Sequence, residues 1–327
     1  MSFELLNNKD KSILHKDPLG VDDFNTGELR EDTVNLSYPF GDIKTTMWTF
    51  NGIRISYSNL AFKEHITLEW SGNRRMVTMY FSLKGKLLMI GKGLDNRFEI
   101  GANQHNMFFG TEASGKMQVE NLYMRSFMIQ FTEEAFLRIA QDGNDTLKRF
   151  ADAILQGTPA ALSYQNLSID LNIQNCINAI INCSFAGRLK QMFFLSKTIE
   201  LLVLQAESYD KLLVSKPAYA KSDYDKERLI FARDYILQHI EFPPALPQLA
   251  RTVGINEYKL KRGFKEMFGT TVFGYLAEAR LEMARTNLAE KQKSITEIAF
   301  DLGYSSVQHF SNAFKKKFGV SPTRLNS

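Results

Sequence analysis

Cysteine is nearly absent from this 327-residue chain, which has only Cys176 and Cys183. They lie seven positions apart in a stretch with helical periodicity. At about 1.5 Å of rise per residue they stand roughly 10 Å apart, beyond the reach of an undistorted disulfide. A disulfide-stapled scaffold is excluded, and both thiols are expected to be reduced core residues of a cytoplasmic protein. Proline is sparse at 8 residues, and a 44% hydrophobic, 23% charged composition is that of neither a collagen nor a disordered chain. No apolar run approaches the roughly 20 residues needed to span a bilayer, and the opening MSFELLNNKDKS lacks the regions of a signal peptide. The five histidines, His15, His65, His105, His239 and His309, are isolated, with no paired spacing to hold a metal. A Walker loop, a GxGxxG turn opening a helix and a GxSxG elbow are also missing. No catalytic residue, metal or cofactor is assigned, and the chain is not read as an enzyme.

What is present begins with an uneven charge. Residues 1–222 carry 24 Lys+Arg against 24 Asp+Glu, so the whole excess of +4 falls in residues 223–327, with 16 against 12. A locally basic end points to a polyanion such as nucleic acid.

Three zones follow one another. Residues 1–131 hold 11 of the 20 glycines and a run of short β-branched and aromatic stretches. These are Ile43–Phe50, Ile53–Leu60, Ile66–Trp70, Met76–Leu83, Leu87–Ile90 and Tyr123–Phe131, divided by turns such as Asn51–Gly52 and Lys84–Gly85. That spacing predicts an all-β barrel or sandwich. Residues 132–209 change to a helical period. Helices are expected at Thr132–Ala140, Ile169–Phe185 and Arg188–Ala206, the last with an apolar stripe of Leu189, Met192, Phe193, Ser196, Ile199, Leu202 and Val203. Such a stripe suits packing within its own domain or dimerisation equally. Residues 210–222 read as a linker, and residues 223–327 are helical throughout.

The last zone contains a duplication. Leu249-Ala250-x-x-x-Gly254 followed by Phe264-Lys265-x-x-Phe268-Gly269 recurs as Ile298-Ala299-x-x-x-Gly303 followed by Phe314-Lys315-x-x-Phe318-Gly319. In each copy a small residue permits close helix crossing, a glycine turns the chain, and an amphipathic helix follows. In the first copy that helix, Glu257–Phe268, buries Leu260, Phe264, Met267 and Phe268 and turns Tyr258, Lys261, Arg262 and Lys265 outward. In the second, Ser294 and Glu297 form a capping box. The helix that follows buries Val307, Phe310, Phe314 and Phe318 and exposes Gln308, Ser311, Asn312 and Lys315, with His309 and Lys316 at its flanks. This is the form of a helix-turn-helix that reads a major groove. Among the outward residues Gln308 and Asn312 suit adenine and Arg262 suits guanine. Lys259, Lys265, His309, Lys315 and Lys316 are the candidate phosphate contacts, and Lys317 also suits a phosphate. The helical pattern Val272–Ala289 between the copies spans roughly 27 Å, suited to two grooves about one duplex turn apart.

On these residues, 225–325 resemble the C-terminal domain of the AraC/XylS transcriptional regulators. Further matches are Tyr275-Leu276, Arg280-Leu281, Ala284, Leu288, Gly303-Tyr304 and Gly319-Val320-Ser321-Pro322. The run from Asn256 to Tyr275 and the segment Ser196–Leu202 resemble the subset typified by the ferric-siderophore (pyochelin) regulator. The resemblance places the base-reading positions at Tyr258, Lys261, Arg262, Gln308, Ser311 and Asn312, and many relatives carry Arg where this chain has Asn312. The resemblance implies a multidomain chain of α and β structure. In it a cupin-like β-barrel sensor (residues 1–131) precedes a helical dimerisation segment (132–209), a linker (210–222) and an all-α double helix-turn-helix (223–327). It also implies a homodimer on double-stranded DNA, a small-molecule effector, siderophore-like by the subset, and RNA polymerase as a further candidate partner. Trp48, Trp70 and Tyr80 are the candidate effector-binding residues, and Arg74 and Arg75 suit an anion or a solvated turn. Gly263, costly inside a helix, is read as a close approach to DNA. The competing readings are a cupin-type metal-binding enzyme and a sensor that recruits a partner protein through its helical domain.

Overall fold

The computed structural model describes residues 3–7, 13–17, 24, 26–72, 75–92, 96–110, 113–119, 121–214, 219–220, 222–290 and 293–326. The chain divides into two units, Met1–Ser215 and Lys216–Ser327.

The first unit opens with twelve strands. They are β1 (Phe3–Asn7), β2 (Ile13–Asp17), β3 (Arg30–Tyr38), β4 (Gly41–Phe50), β5 (Ile53–Phe62), β6 (Ile66–Gly72), β7 (Met76–Lys84), β8 (Leu87–Lys92), β9 (Asn96–Ile100), β10 (Gln104–Gly110), β11 (Ala113–Val119) and β12 (Tyr123–Thr132). The Asn51–Gly52 signal makes a tight hairpin: both residues have positive φ (48° and 78°), and Phe50 pairs with Ile53 across it. Helices α1 (Glu133–Ala140) and α2 (Asp145–Leu155) follow, then the short strands β13 (Ala160–Ala161) and β14 (Leu167–Ser168), α3 (Leu171–Ile181) and the long α4 (Gly187–Val214). The Thr132 hydroxyl caps α1 by accepting the Ala135 N–H. Helix α4 runs through 210–214, which the sequence presented as linker; 215–218 and 221 lie outside the described residues. Both cysteines are free thiols, Cys176 buried on α3 and Cys183 just past its end.

The strands form two antiparallel sheets, one ordered β2-β1-β6-β11-β8-β9, the other β13-β10-β7-β12-β5-β4-β3 with β14 also on β10. Among the described residues neither sheet closes on itself and no ladder joins them, so an open two-sheet stack stands where a closed barrel was expected. The eight-stranded sheet is covered on both faces, by the helices on its apolar side and by the six-stranded sheet on a side of mixed character. Alternate residues Ile53, Ile55, Val77, Met79, Phe81, Phe127, Ile129 and Phe131 pack with Phe136, Phe150, Ile177, Phe194 and Leu201 of the helices. On the opposite face Phe62, Tyr80 and Met124 meet Leu68, Trp70, Leu87 and Met117 of the six-stranded sheet.

Sequence periodicity missed β10 because its polar residues are buried. Asn103, just before the strand, and Asn106 donate side-chain hydrogen bonds to the carbonyls of Ile169 and Ser163 (3.1 and 3.0 Å). His105 is fully buried, its ring stacked on Phe81 and its Nδ1 3.0 Å from Nε2 of Gln205 on α4. Such buried groups cost free energy unless partnered, and here the partnering fastens α4 to the sheet. Arg75 is ion-paired with Glu133 (Nη2–Oε2 3.0 Å) rather than waiting for an anion, and Arg74 lies outside the described residues.

Burial pushes the His105 imidazole down to about 3, against about 6.5 in an unfolded chain. As pH falls, protons therefore bind the unfolded chain first. The stability present above the unfolded value is lost progressively as pH drops through this window. His105→Gln is expected to flatten that dependence: the wild-type thermal midpoint should fall more steeply than the variant's between about pH 7 and pH 5. Equal slopes would sink the assignment.

Candidate nucleic-acid interface

The second unit is helical: α5 (Asp223–Gln238), α6 (Leu246–Val253), α7 (Glu257–Phe268), α8 (Val272–Glu290), α9 (Ile295–Asp301), α10 (Val307–Phe318) and α11 (Pro322–Asn326). Helices α6–α7 and α9–α10 are the two sequence copies, and the local chemistry that sets their ends is repeated. Asn256 caps α7 by accepting the Lys259 N–H, and Ser306 caps α10 by accepting that of His309. The expected capping box of Ser294 and Glu297 opens α9. Gly254 and Gly303 make the interhelical turns at φ 75° and 71°; Gly269 and Gly319 end α7 and α10 with the same φ 75°, ψ −9°.

The packing repeats too. Phe264 and Phe268 sit 4.5 Å apart at 51°, and Phe314 and Phe318 4.5 Å apart at 52°. Ala250 and Ala299 are buried at the helix crossings. Helix α8 serves both halves: Tyr275 meets Phe264 and Phe268 near its start, while Leu281, Ala284 and Leu288 share a core with Ile298, Ala299, Phe310 and Phe314. Arg280 donates to the Ile240 carbonyl (Nε 3.0 Å) and lies over the Tyr304 ring, binding the α5–α6 loop to the second half. Gly303 lies in the same contact, where a Cβ would stand 2.3 Å from the Glu241 carbonyl oxygen.

The inward faces are those expected: Leu260, Phe264 and Phe268, like Phe310 and Phe314, are fully buried, and Val307 and Phe318 half-buried. Outward on α7 stand Tyr258, Lys261, Arg262 and Lys265; on α10, Gln308, His309, Asn312, Lys315 and Lys316, with Ser311 half-buried. Lys261 pairs with Glu257 one turn earlier (2.5 Å), and the Arg262 guanidinium lies 5.8 Å from the centre of the Tyr258 ring. Gln308 Nε2 donates to Asn312 Oδ1 at 3.1 Å.

Some candidates are engaged elsewhere. Lys259 is ion-paired with Asp225 of α5 at 2.6 Å, and that bond holds the Asp225 carboxyl below its ordinary value. Lys317 reaches back to Glu278 and Glu282 of α8, so it fastens the helix instead of facing outward to a phosphate. Gly263 is on the buried face, its missing Cβ replaced by Leu229, whose Cδ1 would lie 2.8 Å away. Close approach of α5, not of DNA, accounts for this glycine. Trp48 is in the helix-facing core, edge-on to Phe194 at 5.3 Å, whereas Trp70 and Tyr80 lie together between the sheets, so the three do not share one pocket. Burial pushes the Tyr80 phenol up to about 12.

Sequence reasoning also missed Tyr219. Its ring stands edge-on to Tyr258 at 5.7 Å with the hydroxyls 3.2 Å apart, and the backbone N–H groups of Tyr219 and Ala220 donate to the Glu266 carboxylate. The hydrogen bond with Tyr258 raises the Tyr219 pKa. No periodicity within α7 signals a contact made from 39 residues upstream.

Residues 249–327 match the family described as helix-turn-helix domain, and residues 41–218, more than half of the chain, match the regulatory protein PchR N-terminal domain. The chain belongs to the PchR family of regulatory proteins, with an AraC-type DNA-binding domain. Regulatory protein PchR of Pseudomonas aeruginosa is 36% identical over 125 residues, 38% of this chain and 42% of PchR. Regulatory protein SoxS of Salmonella typhimurium is 32% identical over 90 residues, 28% of this chain and 84% of SoxS. A crystal structure of an AraC-type transcriptional regulator from Chromobacterium violaceum is 31% identical, covering 32% of this chain and 94% of that one, with a TM-score of 0.30. The matched stretch thus spans less than half the length of PchR. These relatives are regulators, not enzymes. Among the described residues no group of three His, Cys, Asp or Glu could hold a metal, and no helix is long and apolar enough to cross a membrane.

The two glycine positions separate backbone strain from collision. Gly319 has open space around it at φ 75°, so Gly319→Ala is expected to cost about 1–2 kcal/mol. Gly303→Ala adds a backbone clash and should cost clearly more, read as a larger drop in the denaturation midpoint of the second unit. Equal losses would show that the Glu241 contact carries no weight.

Proposed function

We propose that this protein is a sequence-specific, DNA-binding regulator of transcription that responds to a small-molecule effector. The observation that carries the reading is the pair of outward polar helices, α7 and α10, each anchored by its aromatic face to the single helix α8. At about 1.5 Å per residue the 19 residues of α8 span roughly 28 Å, suited to two successive major grooves on one face of a duplex. Base reading falls to Tyr258, Lys261, Arg262, Gln308, Ser311 and Asn312, and phosphate contact to Lys265, His309, Lys315 and Lys316. Lys259 joins them only if its pair with Asp225 opens.

The effector site we assign lies between the two sheets of the first unit, the cupin-like sensor of this reading, beside Trp70 and Tyr80. Among the described residues the buried Trp70 Nε1 donor has no hydrogen-bond partner. An unmet buried donor costs about 1–3 kcal/mol, which an acceptor on a ligand offsets. The subset resemblance favours a siderophore-like molecule. Helix α4 supplies the dimer contact: Leu202 is buried within its own unit, while Leu189, Met192, Ile199 and Val203 remain exposed at steps of three, seven and four residues. Effector binding then shifts the population of arrangements that a dimer presents to DNA. RNA polymerase is the further partner, and the cytoplasm the compartment.

Arg262→Ala should cost roughly 1–3 kcal/mol on cognate DNA and relax preference at one base position. Lys316→Ala should weaken all sequences alike and flatten the salt slope by about one. Binding titrations of the full chain on cognate and random duplexes check this; identical behaviour of the two variants contradicts the division between readers and phosphate contacts.

Val203→Glu places a carboxylate in the exposed stripe without touching the buried one. Sedimentation at micromolar concentration is expected to show a dimeric wild type and a monomeric, folded variant. A wild type that is already monomeric, or a variant that stays dimeric, removes α4 as the interface.

A further inference from the structure

The two reading helices carry different chemistry at their outward centres. Arg262 on α7 presents a guanidinium, a fork of donors with no acceptor. At the matching place on α10 stand two amides, Gln308 and Asn312, one helical turn apart and joined by a 3.1 Å hydrogen bond, both exposed. That bond consumes one donor and one acceptor. Whichever way the two amides are turned, an acceptor oxygen and amide N–H groups are left facing outward. In the major groove adenine offers an acceptor at N7 beside a donor at N6, whereas guanine offers two acceptors, N7 and O6. A guanidinium complements guanine; an acceptor beside a donor complements adenine.

We propose that Gln308 and Asn312 act as one hydrogen-bonded reading unit that selects adenine, so that the operator pairs a guanine in the groove read by α7 with an adenine in the groove read by α10. This rests on the DNA-binding reading above and names its substrate class. The mutual bond also limits the rotamers of two otherwise free side chains, so less side-chain entropy is lost when the base is engaged.

The test is selection of bound duplexes from a random pool by the full-length chain and by Asn312→Arg, followed by titration on the selected sites. The wild type is expected to enrich adenine at one position about a duplex turn from the guanine that depends on Arg262. Asn312→Arg should move preference at that position to guanine, with a change in the affinity ratio of roughly 5- to 150-fold, and leave the Arg262-dependent position and the salt slope as they were. Gln308→Ala and Asn312→Ala should each abolish the adenine preference, and the double variant should lose no more than either single one. A wild type that selects guanine, or no base, at the α10 position while keeping the Arg262-dependent one overturns the proposal and leaves the DNA-binding reading intact. Additive losses from the two alanine variants overturn the single-unit claim. Loss of all salt-dependent binding in the wild type overturns the DNA-binding reading itself.

Discussion

Helix α8 is the constraint on which the second unit depends. Two helix-turn-helix lobes, each too small to bury a core alone, close their apolar faces on it: Tyr275 and Leu276 for the first, Leu281, Ala284 and Leu288 for the second. A fully buried aromatic contributes about 1.5–3 kcal/mol, so Phe264, Phe268, Phe310 and Phe314 hold their helices far more firmly than exposed ion pairs do. That shared support fixes the separation of α7 and α10, the two helices proposed to read DNA. The ordering cost of binding falls accordingly.

Ion pairs in this unit have a different part. Lys317 to Glu278 and Glu282 and Lys259 to Asp225 orient one helix on another, and the Arg280 hydrogen bond to the Ile240 carbonyl orients α8 on the α5–α6 loop. They also sort the basic residues. Of the lysines on the two reading helices, those tied back to α5 or α8 are subtracted from the surface offered to a polyanion. Lys261, Lys265, Lys315 and Lys316 are left as the exposed lysines, Lys261 pairing only within its own helix. Tyr219 and Glu266 add a contact at the edge of the α7 reading face that joins it to the segment preceding α5.

In the first unit the corresponding constraint is that the eight-stranded sheet is covered on both faces. Strands β5, β7 and β12 face helices on one side and the second sheet on the other, so a Trp on one side and a Tyr on the other cannot meet. Trp48 and Tyr80 illustrate this. The buried pair of His105 and Gln205 binds α4 to the sheet that also backs the Trp70 layer. A change between the sheets therefore has a short physical path to the helix proposed to dimerise.

The sequence alone determined the features that depend on neighbours along the chain. The bounds of α7, the glycine turns, the capping box and the Asn51–Gly52 hairpin all follow from residues within a few positions of one another, where local sterics and hydrogen bonding decide the outcome. Several strands escaped for the opposite reason. β3 is mostly polar, and β10 carries a buried His and a buried Asn whose partners lie on distant segments. Only the tertiary structure decided which side of a sheet a candidate pocket residue faces, that Gly263 yields room to Leu229, that Lys259 and Lys317 are already paired, and that most of the α4 stripe stays exposed while Leu202 is buried. Those outcomes turn on contacts between residues far apart in the chain, and periodicity, which sees one element at a time, has no access to them.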